Sequence, residues 1–342
     1  MKPFIETKPK DETLWRAIIL FGRNVASYKF ALGKTLLDLA SKEKTFIKLD
    51  ELADPFSKHM CEHLAMSSKQ GTFSTSKFLD ACKEFNEGKI QRDDLISRTV
   101  SLGFNNVIDA FHIVNRGEIP KRFFVDERKG RNGIQITDDL LALKEKLQFG
   151  NLPFEVEARW RLVETAWSLN LNPRLLEVKV DTDKELLFAE NELNRRIDIT
   201  SCRDSLNGYQ KGKCFYCFRE IMIENSDQDR LTDVDHFFPY MLASDLPEIN
   251  INGVWNLVLS CRECNRGEGG KSARVPELHF LSLLYDRNEY LIWSHHPLRE
   301  TLMKQTGYTP EDRRKTLQRI DSMAIERLIH RWKPRFQHNL AF

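Results

Sequence analysis

Apolar residues recur at intervals of three and four over much of the N-terminal half of the chain, which is the spacing of an amphipathic helix. Helices are therefore predicted over residues 12 to about 65, with one extended interruption at residues 46–49. Three further helices are predicted at residues 77–85, 92–102 and 105–114. This part of the protein is expected to be mainly helical.

Two short apolar segments come next, at residues 122–125 and 134–137, and they flank a basic, glycine-containing tip at residues 126–133. This pattern predicts a β-hairpin. Three helices followed by a hairpin are typical of a winged helix-turn-helix, here at residues 73–150, in which residues 105–115 would enter a DNA groove. The alternative is an ordinary helical domain with a solvated basic hairpin. In the DNA-binding interpretation, the tip residues that contact phosphates are Arg128, Lys129 and Arg131.

Beyond this region, helical and extended patterns alternate. A helix is predicted at residues 154–169, a strand at residues 176–180 and a charged helix at residues 184–197. Thr309 and Pro310 begin a long C-terminal helix. The fold class predicted from these elements is α+β and mostly helical.

Composition narrows the class of protein. The chain has 342 residues, of which 41% are hydrophobic and 30% are charged, enough to bury more than one core. Its net charge of +2 means that any nucleic-acid surface depends on where lysines and arginines lie. The N-terminus is too charged for a secretory signal, and no apolar run approaches the roughly 20 residues that cross a bilayer. We expect a soluble, cytoplasmic protein with no membrane partner.

Seven cysteines carry the first chemical signal. Four of them form two Cys-x-x-Cys pairs, Cys214 with Cys217 and Cys261 with Cys264. Two such pairs supply the four thiolates of a tetrahedral zinc site, which is structural because it leaves no open coordination position. A disulfide framework is not expected in a chain of this size. The sequence therefore predicts structural Zn²⁺, with free thiols or a redox pair as the alternative.

Polar residues lie in a distinctive order around these pairs. The pairs enclose Asp235, His236 and Asn256, and Asn265 directly follows the last cysteine. The chain resembles the HNH endonuclease family, in its zinc-knuckle branch, over about a fifth of its length, roughly residues 200–275. The segments that carry the resemblance are Val-Asp-His-Phe-Phe-Pro at 234–239, Trp-Asn-Leu-Val-Leu at 255–259 and Cys-Asn-Arg-Gly-Glu-Gly-Gly-Lys at 264–271.

The resemblance implies a ββα-metal fold, in which a two-stranded hairpin and a helix hold one divalent cation against the scissile phosphate. It implies that His236 is the general base that activates water. Asp235 and Asn265 would be the metal ligands, and Asn256 would fix the hairpin and orient the histidine. Asparagine stands at position 265 where the founding family pattern has histidine, so the chain would be an H-N-N variant.

This assignment also makes chemical sense without the family. In-line hydrolysis of a phosphodiester needs a base with a pKa near neutrality and a hard cation that neutralises the phosphate. A histidine and a Mg²⁺ or Mn²⁺ ion held by Asp and Asn oxygens provide both. Arg266 and Lys271 lie beside the expected metal helix and are candidate phosphate contacts, with a solvated helix face as the alternative.

Charge directs attention to the C-terminal helix. Residues 211–274 carry eight Lys/Arg and ten Asp/Glu, so affinity for DNA must come partly from elsewhere. A basic outer face on the C-terminal helix is one candidate, and an ordinary solvated face is the alternative. Its cations are Arg313, Arg314, Lys315, Arg319, Arg327, Arg331 and Lys333.

These patterns divide the chain into three regions. A helical recognition or regulatory region is predicted at residues 1–198, an HNH nuclease module at 199–275, and a C-terminal helical extension that packs on the module at 276–342. The leading hypothesis is an endonuclease that hydrolyses DNA phosphodiester bonds, with a role in bacterial restriction or phage defence by analogy with the family. The alternative is a non-catalytic zinc-ribbon and winged-helix DNA-binding regulator. A third hypothesis is a nuclease that acts only beside a regulatory partner protein. Because each chain has one predicted active site, a homodimer would allow both DNA strands to be cut.

Overall fold

The computed structural model describes residues 11–21, 26–42, 44–72, 75–114, 116–170, 176–191, 195–223, 232–293 and 298–337. Within these ranges helices predominate over strands, as the predicted α+β class requires. None of these helices combines the length and hydropathy that a membrane span needs. The chain divides into two compact units after Asn170. The boundary predicted at residue 198 lies elsewhere because the strands between residues 179 and 201 pair with one another inside the second unit.

The first unit is a helical domain with a small sheet. Its elements are α1 (Asp11–Phe21), α2 (Tyr28–Ala40), β1 (Phe46–Lys48), α3 (Leu49–Met66), α4 (Lys77–Asn86), α5 (Arg92–Arg98), α6 (Val107–Ala110), β2 (Ile113–Val114), β3 (Gly117–Glu118), β4 (Phe124–Asp126), α7 (Arg128–Arg131), β5 (Gly133–Ile136), α8 (Asp138–Lys144) and α9 (Leu152–Ser168). The apolar faces of the long helices meet in one hydrophobic core. β5 lies between β1 and β4 and pairs antiparallel with both. The predicted extended segment and the predicted hairpin therefore belong to one sheet.

The helix predicted at residues 105–114 is wrong. α6 has only 4 residues, and the chain then extends into β2, which pairs with β3 across a tight turn. The β-branched residues Ile113 and Val114 favour a strand, and Arg116 takes a φ of 71° in the turn. The winged-helix interpretation therefore lacks the long helix that would enter a DNA groove at this position.

The basic tip forms the short helix α7. Arg128 pairs with Asp126 at 2.8 Å. The guanidinium carbon of Arg131 lies 3.9 Å from the centre of the Phe46 ring. Lys129 is exposed. Two of the three cations expected to contact phosphates thus have partners within the protein.

The second unit contains the candidate chemistry. Its elements are β6 (Lys179–Asp181), β7 (Leu186–Glu190), β8 (Arg196–Ser201), α10 (Cys202–Gln210), β9 (Thr232–His236), β10 (Leu257–Cys261), α11 (Arg262–Asn265), β11 (Val275–Pro276), α12 (Leu278–Trp293), α13 (Arg299–Thr306), α14 (Pro310–Leu328) and β12 (Arg331–Trp332). β7 pairs with β6 and β8, whereas β9 pairs with β10. The predicted start of the C-terminal helix is confirmed, since the Thr309 hydroxyl accepts from the Asp312 N–H at 3.1 Å and Pro310 opens α14.

The charged helix predicted at residues 184–197 is also wrong. Of the described residues in this range, Leu186–Glu190 form β7 and residues 196–197 begin β8, and Leu187 and Ala189 are buried on the same face of β7. Glu, Leu and Ala favour a helix locally. Pairing with the neighbouring strands and alternating burial override that preference.

A buried polar network lies inside the first unit, between α3 and α9. The His63 ring stacks on Trp160 with ring centres 3.4 Å apart, and its two nitrogens lie 2.6 Å from Glu164 Oε1 and 3.2 Å from Glu157 Oε2. Burial lowers the pKa of His63, but the two glutamates outweigh it and hold the pKa above its ordinary value. Burial raises the pKa of Glu157, but His63 and Lys34 outweigh it and hold that pKa well below its ordinary value. Both shifts favour the protonated form of His63 and the ionised form of Glu157 in the folded state.

We predict that this network makes the stability of the first unit depend on pH. The raised pKa of His63 gives a contribution that is complete below its unfolded pKa of about 6.5 and is lost as the pH rises through the folded value. The lowered pKa of Glu157 gives a contribution that is complete above its unfolded pKa of about 4.5 and is lost as the pH falls through the folded value. Urea unfolding across the pH range should therefore give the highest free energy of unfolding between about pH 4.5 and 6.5.

The variant His63→Phe provides the control. It should remove the decline in stability above about pH 6.5, because the titrating group is gone. A wild-type profile that is flat from about pH 6 to 9 would contradict the ionised network.

Candidate active site

Two distant segments bring four cysteines together. Cys214 and Cys217 follow α10, whereas Cys261 ends β10 and Cys264 lies in α11. All four sulfur atoms are buried and lie within 4.8 Å of one another, and those of Cys217 and Cys261 are 3.7 Å apart. Ligands about 2.3 Å from a tetrahedral zinc ion are about 3.8 Å from one another. The cluster could therefore bind a metal such as zinc.

The electrostatics of the cluster also suit a metal. Hydrogen bonds with the neighbouring thiols, that with Cys214 first, lower the pKa values of Cys217 and Cys261. Burial raises the pKa of Cys214, and the pKa of Cys264 also lies above its ordinary value. The four thiols thus share protons, and thiolate is the form that coordinates metal.

The cysteine pairs frame an antiparallel hairpin followed by a short helix. His236 of β9 pairs with Leu257 of β10, and Thr232 pairs with Cys261 at the other end. α11 follows β10 directly and ends at Asn265. β9, β10 and α11 thus have the order strand, strand, helix.

His236 ends β9 and is half-buried. Its Nε2 lies 2.9 Å from Asn252 Oδ1. Because an amide oxygen only accepts hydrogen bonds, this contact requires the proton on Nε2 and leaves the lone pair on Nδ1. Burial lowers the pKa of His236, and the Asn252 hydrogen bond and the Asp235 charge offset only part of that effect. The ring is neutral at pH 7, with Nδ1 as its basic atom.

Asn256 is fully buried and fixes the backbone that follows His236. Its Oδ1 accepts from the Phe238 N–H at 2.8 Å, and its Nδ2 donates to the carbonyls of Phe238 and Ile251, both at 2.9 Å. Its own carbonyl accepts from the Phe237 N–H at 2.7 Å. This side chain therefore joins the start of β10 to the end of β9.

A buried arginine supports the same turn from the C-terminal helices. Arg287 of α12 is 1% exposed and donates from Nη2 to the carbonyls of Val254 and Trp255, at 3.3 and 3.0 Å. Burial lowers the pKa of Arg287 to about 10. α12 thus packs directly behind the hairpin.

Asp235 lies in a buried ionic cluster. Its Oδ2 accepts from the Tyr216 hydroxyl at 2.6 Å, and its Oδ1 lies 3.3 Å from Lys271 Nζ. Burial raises the pKa of Asp235, and Lys271 and Tyr216 oppose that rise. The Lys271 side chain is 1% exposed, so it does not lie at the surface as a phosphate contact requires. Its ammonium neutralises Asp235 instead, since a buried carboxylate needs a partner charge.

Asn265 faces β9 rather than solvent. Its Nδ2 donates to Asp233 Oδ2 at 3.1 Å, and Arg266 Nη2 donates to Asp233 Oδ1 at 3.0 Å. Side chains alternate along a strand, so Asp233 and Asp235 share one face of β9. The Arg266 side chain remains 63% exposed. Because the Asn265 nitrogen is directed to Asp233, its oxygen is the atom that could coordinate a cation.

The predicted basic face of the C-terminal helix is largely paired with acids of the same unit. Arg319 lies 2.7 Å from Glu248, and Arg327 lies 3.6 Å from Asp245. Six of the seven predicted cations have such a partner, and the seventh, Arg314, is exposed. The other pairs are Arg313 with Glu289, Lys315 with Glu311, Arg331 with Asp321, and Lys333 with Glu277.

Comparison of the chain with protein-family models, with curated proteins and with solved structures finds no match. The resemblance to HNH endonucleases therefore stays a prediction from motifs. Any function must be argued from the geometry of the site.

Sequence reasoning identifies the motif residues but misses their partners. Asp233 precedes Asp235 by two positions, and the alternation of a strand is the signal that the two share a face. Tyr216 stands between two cysteines of one pair, which signals burial but not its contact with Asp235. Asn252 lies in a loop without periodicity, and nothing in the sequence indicates its contact with His236.

We predict that each chain binds one zinc ion through the four cysteines. Cys264→Ala removes one ligand, so zinc content measured by mass spectrometry should fall well below one per chain. The melting temperature of the second unit should fall too, because structural zinc contributes directly to folding. Cys202→Ala is the matched control, since Cys202 is buried outside the cluster. Full zinc content in Cys264→Ala would contradict the site.

We predict that Asn256→Ala destabilises the second unit far more than Asn252→Ala. The first change leaves buried backbone groups of Phe238 and Ile251 without partners, and each such group costs about 1–3 kcal/mol. We expect a loss of about 3 kcal/mol or more for Asn256→Ala and less than about 1 kcal/mol for the half-buried Asn252. Urea unfolding measures both, and equal losses would be evidence against the role of Asn256.

Proposed function

We propose that this protein is a metal-dependent endonuclease of the HNH type that hydrolyses phosphodiester bonds in DNA. The observation that carries the proposal is the contact of His236 Nε2 with Asn252 Oδ1, on a hairpin whose strand and following helix also carry Asp235 and Asn265. The strand–strand–helix order and the hydrogen bonds of Asn256 support it. In this proposal the cysteine cluster is structural.

His236 is the general base of the proposed reaction. It accepts the proton of the attacking water at Nδ1. Asn252 accepts the Nε2 proton and so holds the tautomer in which Nδ1 is unprotonated. Asn256 fixes the backbone beside the ring, which keeps the base in place when substrate binds.

Asp235 and Asn265 are the proposed ligands of a catalytic Mg²⁺ or Mn²⁺ ion, with Asp233 beside them. All three side chains offer oxygen atoms, which these hard cations prefer, so the donor set fits. The cation supplies positive charge for the phosphate and for the leaving oxygen. Because Lys271 already offsets the charge of Asp235, we expect weak cation affinity until the substrate phosphate adds its own oxygens.

A second candidate function is non-catalytic DNA binding by a zinc-ribbon protein. A structural zinc ribbon requires only the four cysteines. It does not require the His236–Asn252 contact or the oxygen donors Asp235 on β9 and Asn265 on α11. The short α6 weakens the winged-helix half of this alternative. A role in restriction or phage defence, with a partner protein or as a homodimer, stays an analogy with the family.

We predict that the full chain cleaves supercoiled plasmid DNA in the presence of Mg²⁺. His236→Ala should lower the rate by about 10²- to 10⁴-fold, the usual contribution of a general base. His330→Ala is the matched control, because His330 is exposed and lies outside the hairpin. All proteins are compared at equal zinc content, so that a lost structural metal cannot mimic a lost base.

Two results would count against the proposal. Unchanged cleavage by His236→Ala would show that His236 is not the general base. Tight DNA binding without cleavage by the wild type, at full zinc content and with Mg²⁺ or Mn²⁺, would favour the non-catalytic alternative.

A further inference from the structure

Two large apolar side chains stand exposed beside the proposed base. Tyr240 is 61% exposed and Met241 is 52% exposed. Among the exposed large hydrophobic residues of the described chain, these two alone are neighbours in sequence. They open the 3₁₀ turn Tyr240–Ser244, which follows closely after His236. Single exposed apolar residues are ordinary, so a ligand contact must be inferred from where Tyr240 lies relative to His236.

The turn that carries the pair is fixed on both sides. Asn256 holds the backbone before it through hydrogen bonds to Phe238. The side chains of Leu242, within the turn, and of Leu246, just after it, are buried. The two exposed side chains are therefore held in solvent by a packed segment, an arrangement that reduces the entropy lost when a ligand binds.

Tyr240 lies next to His236. The ring centres are 6.2 Å apart, and the ring planes are inclined at 57°. A phosphate attacked by a water molecule on His236 would lie about 6 Å from the imidazole, since one hydrogen bond and one near-attack distance of about 3 Å separate them. Tyr240 is therefore within reach of the nucleotide that flanks such a phosphate.

We infer that Tyr240 contacts the base of the nucleotide next to the scissile phosphate, an inference that rests on the proposed function. An aromatic ring stacks on any base. Apolar side chains that enter a duplex must separate base steps. The site thus takes DNA with an accessible base beside the cleaved bond, such as a single strand or a mismatch, in preference to a uniform duplex.

The test measures binding apart from cleavage. Single-stranded and matched duplex oligonucleotides that carry 2-aminopurine are titrated with the full chain in the absence of added divalent cation. Tyr240→Ala should weaken single-strand binding by about tenfold and reduce the fluorescence change of the probe, whereas Tyr240→Phe should retain most of both. Tyr308→Ala is the matched control, because Tyr308 is 60% exposed and lies just before α14.

Parallel cleavage assays distinguish this inference from the proposed function. If Tyr240→Ala loses binding and the wild type never cuts, Tyr240 is a DNA contact of a binding protein and the nuclease proposal fails. If the wild type cuts and Tyr240→Ala binds single strands as tightly as the wild type, the base contact is overturned and the nuclease proposal stands. An equal loss in Tyr308→Ala would also overturn the contact, and a wild type that neither binds nor cuts would reject both.

Discussion

Four buried thiols fix the geometry around the hairpin. Cys214 and Cys217 hold Tyr216 between them, and Tyr216 reaches Asp235 through a hydrogen bond of 2.6 Å. Cys261 lies at the junction of β10 and α11, so the same cluster sets the direction in which Asn265 approaches β9. β9 and β10 have 5 residues each, and an isolated pair of strands of that length is only marginally stable. The cysteine cluster is therefore one of the constraints that hold the hairpin, together with the hydrogen bonds of Asn256 and the packing of α12.

The pairing of Asp235 with Lys271 places a second constraint on the same region. Removal of one partner from a buried ion pair costs about 3–5 kcal/mol, because the remaining charge is left uncompensated. The ion pair therefore holds the Lys271 side chain against Asp235. Because Lys271 lies in the loop after α11, that loop must fold back onto the hairpin. Backbone hydrogen bonds from Lys271 N to Cys264 O at 2.6 Å and from Ser272 N to Asn265 O at 2.8 Å follow the same path. The charge pair and the backbone thus specify one loop conformation.

Structure is predicted best from the sequence where residues have a fixed metal-ligand spacing or where apolar positions repeat over several turns. The cysteine pairs reveal the buried cluster because metal ligands need a fixed spacing. α9 and α14 are predictable because their apolar period repeats over several turns. The errors at residues 105–114 and 184–197 arise because a strand depends on a partner that the local pattern does not contain. The burial of Lys271 has the same cause, since the Asp235 that pairs with it comes from a separate strand.

The ion pairs of α14 have a consequence for association over distance. Arg319 and Arg327 are each matched by a nearby carboxylate, so from afar each pair acts as a dipole, whose field falls off faster than that of a free cation. A polyanion that approaches this face is not drawn in until it is close enough to replace the carboxylate. Recognition on this side therefore depends on close fit rather than on electrostatic steering. A high association rate with a charged partner would therefore require another surface of this protein or a second protein.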